Sequence, residues 1–262
     1  MLKSIVFDWG ERPEILAQKI KDIWRDYKVV HGTCKSFKGD GDSLRHFYDS
    51  VIEMLGDPAN LAEDATLGNR DIQRSGQRWM EIRYDPDIPD AYRHSSNPQP
   101  LHTDGSYIPS FPDAALIYCE SAASLGGATV FLDGSCLENI LTERDPDLLN
   151  DLSNVSMIHA RSGDMREAPV LEKSERGNRL HWNYYCVDKD ASEDIQILKE
   201  RFHQFLLHEP AIKKNLIEVP LQPGDCVLWK DYETLHGRNG FDPKIRSERF
   251  LWKSAVQIEC GV

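Results

Sequence analysis

From Leu101 to the C-terminus the chain is a succession of short apolar runs separated by turn residues: Ala114–Cys119, Thr129–Leu132, Val155–His159, Leu180–Val187, Leu216–Val219, Cys226–Trp229 and Phe250–Val256. Runs this short, punctuated this regularly, are the pattern of a β-sandwich or barrel. One helix is predicted among them, because Ile195, Leu198, Phe202, Phe205 and Leu206 share a helical face and the segment stops before Pro210. The expected architecture is mixed α/β, mainly β, with a jelly-roll-like double sheet and helices packed outside it.

The first third reads as helical where it is regular. Leu16, Ile20, Ile23, Trp24 and Tyr27 form one amphipathic stripe, and Leu44, Phe47, Tyr48, Val51 and Leu55 form another that ends at Gly56. Residues 57–100 are polar and rich in Asp, Pro and Asn, so long irregular connections are expected there around a short strand at Trp79–Tyr84. Loops of that length in a compact domain are often functional lids. A single domain over residues 1–262 is expected, its helical part (about 1–100) packing on a jelly-roll core (about 101–262).

Charge and cysteine usage exclude several function classes. The formal net charge is −12 and no Lys/Arg block is long enough to neutralise a phosphate backbone, so nucleic acid is not an expected partner. Ile5-Val6-Phe7 is too short for a signal-peptide core, and no segment has the apolar length of a membrane span. A cytoplasmic location is the expectation, and nothing in the sequence speaks to oligomeric state. The cysteines (Cys34, Cys119, Cys136, Cys186, Cys226 and Cys260) lack any Cys-x-x-Cys spacing, so free thiols are expected.

The chemistry centres on Leu101-His102-Thr103-Asp104. In an extended segment residues i and i+2 point to one face, so the His102 imidazole and the Asp104 carboxylate can reach one small ion. With a second histidine they would form a two-histidine, one-carboxylate triad, which leaves open positions on iron(II). Alone the motif is weak, since composition predicts about one or two His-x-acid triplets by chance. The context is stronger. A turn, Pro223-Gly224-Asp225, feeds the apolar strand Cys226–Trp229, which delivers His236 to a loop mouth. Thirteen positions later Arg249 opens the strand Phe250-Leu251-Trp252, where a guanidinium turned inward needs an anion. Arg246 is the competitor for that role, but it lies in the polar stretch Lys244-Ile245-Arg246-Ser247-Glu248.

Taken together, His102-Thr103-Asp104, Gly126-Gly127-Ala128-Thr129, Pro223-Gly224-Asp225, His236 and Arg249 make the chain resemble the taurine dioxygenase and clavaminate synthase-like family of iron(II)/2-oxoglutarate oxygenases. The resemblance runs from about residue 100 to the C-terminus. It implies a double-stranded β-helix of cupin-like type, iron(II) held by His102, Asp104 and His236, and O2 as oxidant. It also implies that Arg249 pairs with the distal carboxylate of 2-oxoglutarate while Thr129 donates its hydroxyl to the same group.

The reaction so implied is hydroxylation of an aliphatic C–H on a small polar or anionic, amino-acid-like metabolite, with release of succinate and CO2. Halogenating relatives carry a small residue where Asp104 stands, so the intact carboxylate points to hydroxylation; desaturation and cyclisation remain alternatives within the family. Candidate substrate contacts are Tyr107, Arg238 and Lys253, the last of which replaces an anion-binding arginine of the taurine enzymes. Each has a structural alternative: Tyr107 as a core plug, Arg238 as a brace on loop carbonyls. The rival outside the family is a cupin-like isomerase or lyase using the same triad as a Lewis acid, which would have no need of Arg249 and Thr129. A binding module without turnover would have to treat the whole series of motifs as accident.

Overall fold

The computed structural model describes residues 1–59, 78–88, 91–161, 163–175 and 177–259. In chain order the described elements begin with β1 (Leu2–Asp8), α1 (Pro13–Trp24), β2 (Val29–Lys35), α2 (Gly41–Leu55), β3 (Gly56–Ala59), β4 (Met80–Ile82) and β5 (Gln99–His102). The middle of the chain contributes β6 (Ala114–Ser121), β7 (Thr129–Asp133), α3 (Gly134–Arg144), α4 (Pro146–Asn154), β8 (Ser156–Arg161), β9 (Asp164–Pro169), β10 (Leu171–Ser174) and β11 (Gly177–Leu180). The last part contributes α5 (Glu193–His208), α6 (Pro210–Asn215), β12 (Ile217–Val219), β13 (Cys226–Lys230), β14 (Thr234–Arg238) and β15 (Phe250–Ile258).

Two sheets carry the architecture. The larger has the order β1-β2-β13-β6-β15-β3, with β4 also on β15, and the smaller has the order β12-β7-β14-β5. Side-chain alternation sorts the central strands into layers. On β6 and β13, Leu116, Tyr118, Cys226 and Leu228 pack against α1 and α2 through Leu16, Ile20, Tyr48 and Val51. Their neighbours Ala115, Ile117, Cys119, Val227 and Trp229 face the other way and meet Phe131 and Val219 of the smaller sheet. That sheet's outer face, with Leu101, Val130, Leu132 and Leu235, is covered by Leu137, Leu141, Leu148 and Phe202 of α3, α4 and α5. Burial on both faces explains why these strands read as unbroken apolar runs. It also fixes which residues point between the sheets: His102, Thr129, His236 and Arg238 alternate with the outward Leu101, Val130 and Leu235.

Several expectations are corrected. The N-terminal third is not only helical: β1 and β2 pair in parallel, Leu2 opposite Val29, and β2 joins the larger sheet through β13. The valines at 29 and 30 are too short a run to stand out, and their partners in β13 are nearly 200 residues away, so only tertiary pairing makes them a strand. The expected strand Leu180–Val187 stops at Leu180, because the Asn183 side chain accepts the Tyr185 N–H and turns the chain into a short 3-10 segment. Helices α3 and α4 were not anticipated; Asp133 and Asp145 cap them, accepting from the Ser135 and Leu148 N–H groups. Among the described residues of 57–100 are parts of β3 and β5 besides the predicted short strand, which is Met80–Ile82, while 60–77 and 89–90 of the predicted loop region lie outside the described residues. Cys34, Cys119, Cys136, Cys186 and Cys226 are free thiols, and Cys260 lies outside the described residues. Among the described residues no helix is long and apolar enough to cross a membrane.

Candidate metal centre

β5 and β14 run antiparallel with His102 directly opposite His236. Their ring centroids are 4.2 Å apart. Thr103 stays extended (φ −109°, ψ 148°), which puts Asp104 on the same side as His102, and its own side chain turns away to accept the Trp182 N–H at 3.1 Å. Ligand-type atoms of His102, Asp104 and His236 therefore converge within 4.8 Å of one another. His102 Nε2 lies 3.8 Å from Asp104 Oδ1, and His236 Nε2 lies 3.5 Å from Asp104 Oδ2.

The electrostatics of these groups are those of a site that could hold a metal ion. Burial, with His236 alongside, pushes the His102 pKa down to about 3, so the imidazole is neutral at pH 7. Its Nδ1 donates to the Pro100 carbonyl at 2.9 Å, which leaves Nε2 with its lone pair toward the centre, where the Gln99 amide approaches at 3.2 Å. Burial works to raise the Asp104 pKa, but the Lys253 ammonium at 2.5 Å, with His236, more than offsets it and holds the carboxyl well below the ordinary range. Two imidazole nitrogens and one hard anionic oxygen on a buried face suit a divalent first-row ion such as iron(II).

A carboxylate that sequence reasoning passed over lies behind this trio. Asp231 is fully buried and accepts the Asp104 N–H at 3.0 Å and the Gly105 N–H at 2.8 Å. Burial, with Asp104 nearby, raises its pKa to about 6. The only signal in the sequence is its place five residues before His236, at the end of an apolar strand.

Arg249 enters the space between the sheets from a constrained turn. Its φ is +55° and that of Ser247 is +65°, conformations costly for residues with a Cβ. Glu248 between them accepts the Ser124 N–H at 2.7 Å and the Lys244 N–H at 2.6 Å, and these bonds pull its pKa to about 2. The buried guanidinium donates from Nε to the Gly127 carbonyl at 2.6 Å and lies 3.5 Å from Thr129 Oγ1. A Cβ on Gly127 would come within 2.9 Å of the Arg249 side chain, so the glycine makes room for it. Both of these partners are neutral; burial and then Arg238 lower the Arg249 pKa to about 9, which leaves the group cationic at pH 7. A small cavity beside it is lined by Ala123, Gly127, Thr129, Leu221, Arg249 and Leu251.

The remaining candidates separate. Lys253 is buried against Asp104 and over the Trp229 ring, inside the centre. Arg238 donates to the carbonyls of Tyr92 (3.1 Å) and Asn97, the loop-brace arrangement. Tyr107 is half-buried at the end of the 3-10 turn that starts at Asp104. Arg246, the rival to Arg249, forms surface ion pairs with Asp85 and Asp87 at 2.7 Å. Pro223-Gly224-Asp225 is a structural turn, in which Asp225 accepts the Cys34 N–H at 2.8 Å and the Gln222 N–H at 2.9 Å.

Comparison with known proteins adds an independent line. Residues 11–254 match the model of the family described as "Taurine catabolism dioxygenase TauD, TfdA family". The mitochondrial trimethyllysine dioxygenase of Gallus gallus is 24% identical over 88% of this chain and 61% of its own length. A uridine-5'-phosphate dioxygenase from Streptomyces sp. is 27% identical over 62% of each. This chain thus spans about six tenths of the curated relatives it matches. Among solved structures, an asparagine oxygenase in complex with Fe(II), 2S,3S-3-hydroxyasparagine and succinate superposes with a TM-score of 0.71 at 14% identity, covering 97% of this chain and 93% of that one. The non-heme iron oxygenase OrfP, in complex with Fe and alpha-ketoglutaric acid, superposes with a TM-score of 0.67 at 12% identity, over 98% and 95% of the two chains. The fold is shared with these proteins.

Proposed function

The chain belongs to the taurine catabolism dioxygenase TauD, TfdA family, and from that premise we propose that it is an iron(II)- and 2-oxoglutarate-dependent dioxygenase. His102, Asp104 and His236 would hold the metal, and Arg249 with Thr129 the distal carboxylate of 2-oxoglutarate. The observation that carries this reading is the convergence of two imidazoles and one carboxylate within 4.8 Å between the two sheets. When bound, iron and 2-oxoglutarate supply O2-driven oxidative decarboxylation to succinate and CO2, with the second oxygen atom going to a substrate C–H.

The chain's own residues hold and exclude. The buried Arg249 fork offers a charged, planar partner to a carboxylate, which the Gly127 carbonyl and Thr129 hydroxyl cannot replace. Trp229 packs on the His236 ring at 4.7 Å, and with Phe131 it helps to keep water from the metal face. The facing sheets are read as a double-stranded β-helix within one domain, and Arg238 as the tether of the 92–97 loop.

For the substrate we propose a small polar or anionic, amino-acid-like molecule. Support comes from relatives named for trimethyllysine and from the neighbour bound to hydroxyasparagine; Lys253 is at the centre but is already paired with Asp104. Tyr107 lies close enough in sequence to Asp104 to line the same mouth. The test is aerobic incubation with iron(II), ascorbate, 2-oxoglutarate and a panel of amino acids and their N-methylated derivatives under 18O2. Succinate release together with a product carrying one 18O atom is the expected result. Absence of iron-dependent succinate with every member of the panel would contradict the proposal.

A further inference from the structure

We propose that Asp231 is a positioning residue of the metal centre, its carboxylate fixing the backbone of one ligand and facing the outer ring nitrogen of another. This rests on the reading of His102, Asp104 and His236 as metal ligands.

The argument begins with donors and acceptors. Asp231 Oδ1 accepts the Asp104 N–H at 3.0 Å, Oδ2 accepts the Gly105 N–H at 2.8 Å, and the Trp229 indole N–H reaches Oδ1 at 3.3 Å. Backbone donors thus occupy both oxygens. Only a carboxylate can satisfy them, because the amide of an asparagine would set an NH2 group against one of the two N–H groups. These bonds close the turn just after the extended Thr103 and so fix the point from which the Asp104 side chain projects.

The same carboxylate then reaches a second ligand. Oδ1 lies 3.7 Å from His236 Nδ1, the ring nitrogen turned away from Asp104; this is just beyond hydrogen-bond distance, and that buried nitrogen has no hydrogen-bond partner among the described residues. A buried negative charge there favours a proton on Nδ1 and leaves the Nε2 lone pair for the metal. Trp229 completes the brace, its ring packed at a tilt against His236 while its N–H holds Asp231. Lys253 pairs with the Asp104 side chain, so the two carboxylates in the site are given separate tasks: Asp104 toward the metal and Asp231 toward the frame.

The test is anaerobic titration of the metal-free full chain with Co(II), comparing wild type and Asp231→Asn by calorimetry and by the visible Co(II) spectrum. The variant is expected to keep its circular dichroism and to bind Co(II) ~10–100-fold more weakly, with a changed spectral envelope. A purely packing role would leave the spectrum unmoved. Wild-type affinity and spectrum in the variant would overturn the proposal while leaving the ligand assignment intact. Failure of the wild type to bind Co(II) would overturn the ligand assignment itself. A measurement on the wild type covers the case in which the variant does not fold: in 15N-labelled, Zn(II)-loaded protein His236 is expected to carry a slowly exchanging Nδ1 proton and to bind the metal through Nε2. Metal on Nδ1 would contradict the proposal.

Discussion

His102 and His236, 134 residues apart in the sequence, stand directly opposite each other across the β5–β14 pairing, with ring centroids 4.2 Å apart. Register alone achieves this: a slip of one residue would turn His236 to the outer face and bring Leu235 inward. Close approach of the two strands is permitted by Gly237, where a Cβ would meet the Gln99 carbonyl at 2.6 Å. Gly237→Ala should therefore weaken metal binding by about tenfold or more without removing any ligand, as strands forced apart separate the two imidazoles. Calorimetric titration with Co(II) measures it, and an unchanged affinity would show that the pairing tolerates the displacement.

Arg249→Ala should leave metal affinity near wild type and raise the 2-oxoglutarate concentration needed for half-saturation. Loss of a buried, charge-assisted pair costs about 2–5 kcal/mol, roughly a thirtyfold to several-thousandfold weakening. Arg249→Lys should recover only part of it, since the ammonium has no fork. Titrating 2-oxoglutarate into the iron-loaded variants under anaerobic conditions separates the two effects. Unaltered 2-oxoglutarate binding would exclude Arg249 as the anchor.

Lys253 holds Asp104 at 2.5 Å in a buried ion pair. Lys253→Met strands a buried carboxylate, which should destabilise the metal-free protein by about 3–5 kcal/mol, and a divalent ion should restore a large part of that. Thermal unfolding with and without Co(II) is the measurement: the metal-induced rise in Tm should be larger in the variant than in the wild type. Equal shifts would mean that Lys253 and the metal do not share Asp104.

His159 is fully buried and its pKa is lowered to about 4 by burial and by His181, itself held near about 4. An unfolded histidine titrates near ~6.5. Below that pH the unfolded chain takes up a proton that the folded chain refuses, so stability should fall as pH drops from about 6.5 to 4 and be insensitive to His159 above it. The contribution of His159 at pH 5 is about 2 kcal/mol. Urea unfolding at pH 7.5 and pH 5.0 should show a smaller pH-dependent loss in His159→Gln than in the wild type; identical losses would contradict the assignment.

Much of the candidate site is legible in the sequence because its parts are local. His102 and Asp104 share one extended segment, and the turn at Pro223-Gly224-Asp225 marks the strand that precedes His236. The reading of Arg246 as a loop arginine is likewise consistent with its polar neighbours, since it pairs with Asp85 and Asp87. What the sequence hides is what tertiary pairing creates. Asp231 becomes a partner of Asp104 only when residues 127 apart meet, and β1 and β2 become strands only when β13 lies beside them. Lys253, four positions after Arg249 and so on the same face of a regular strand, is a substrate contact by the family resemblance, yet its first partner in the structure is the Asp104 carboxylate. Alternation gives the face a side chain occupies but not the atom it reaches.

The central claim is that iron(II) and 2-oxoglutarate meet at His102, Asp104 and His236. Adding iron(II) and then 2-oxoglutarate to metal-free protein without oxygen should produce the weak visible charge-transfer band of the chelated pair, and His102→Ala should abolish it. Iron that binds to the wild type with no such band on addition of 2-oxoglutarate would contradict the oxygenase account and leave a non-oxidative metal enzyme in its place.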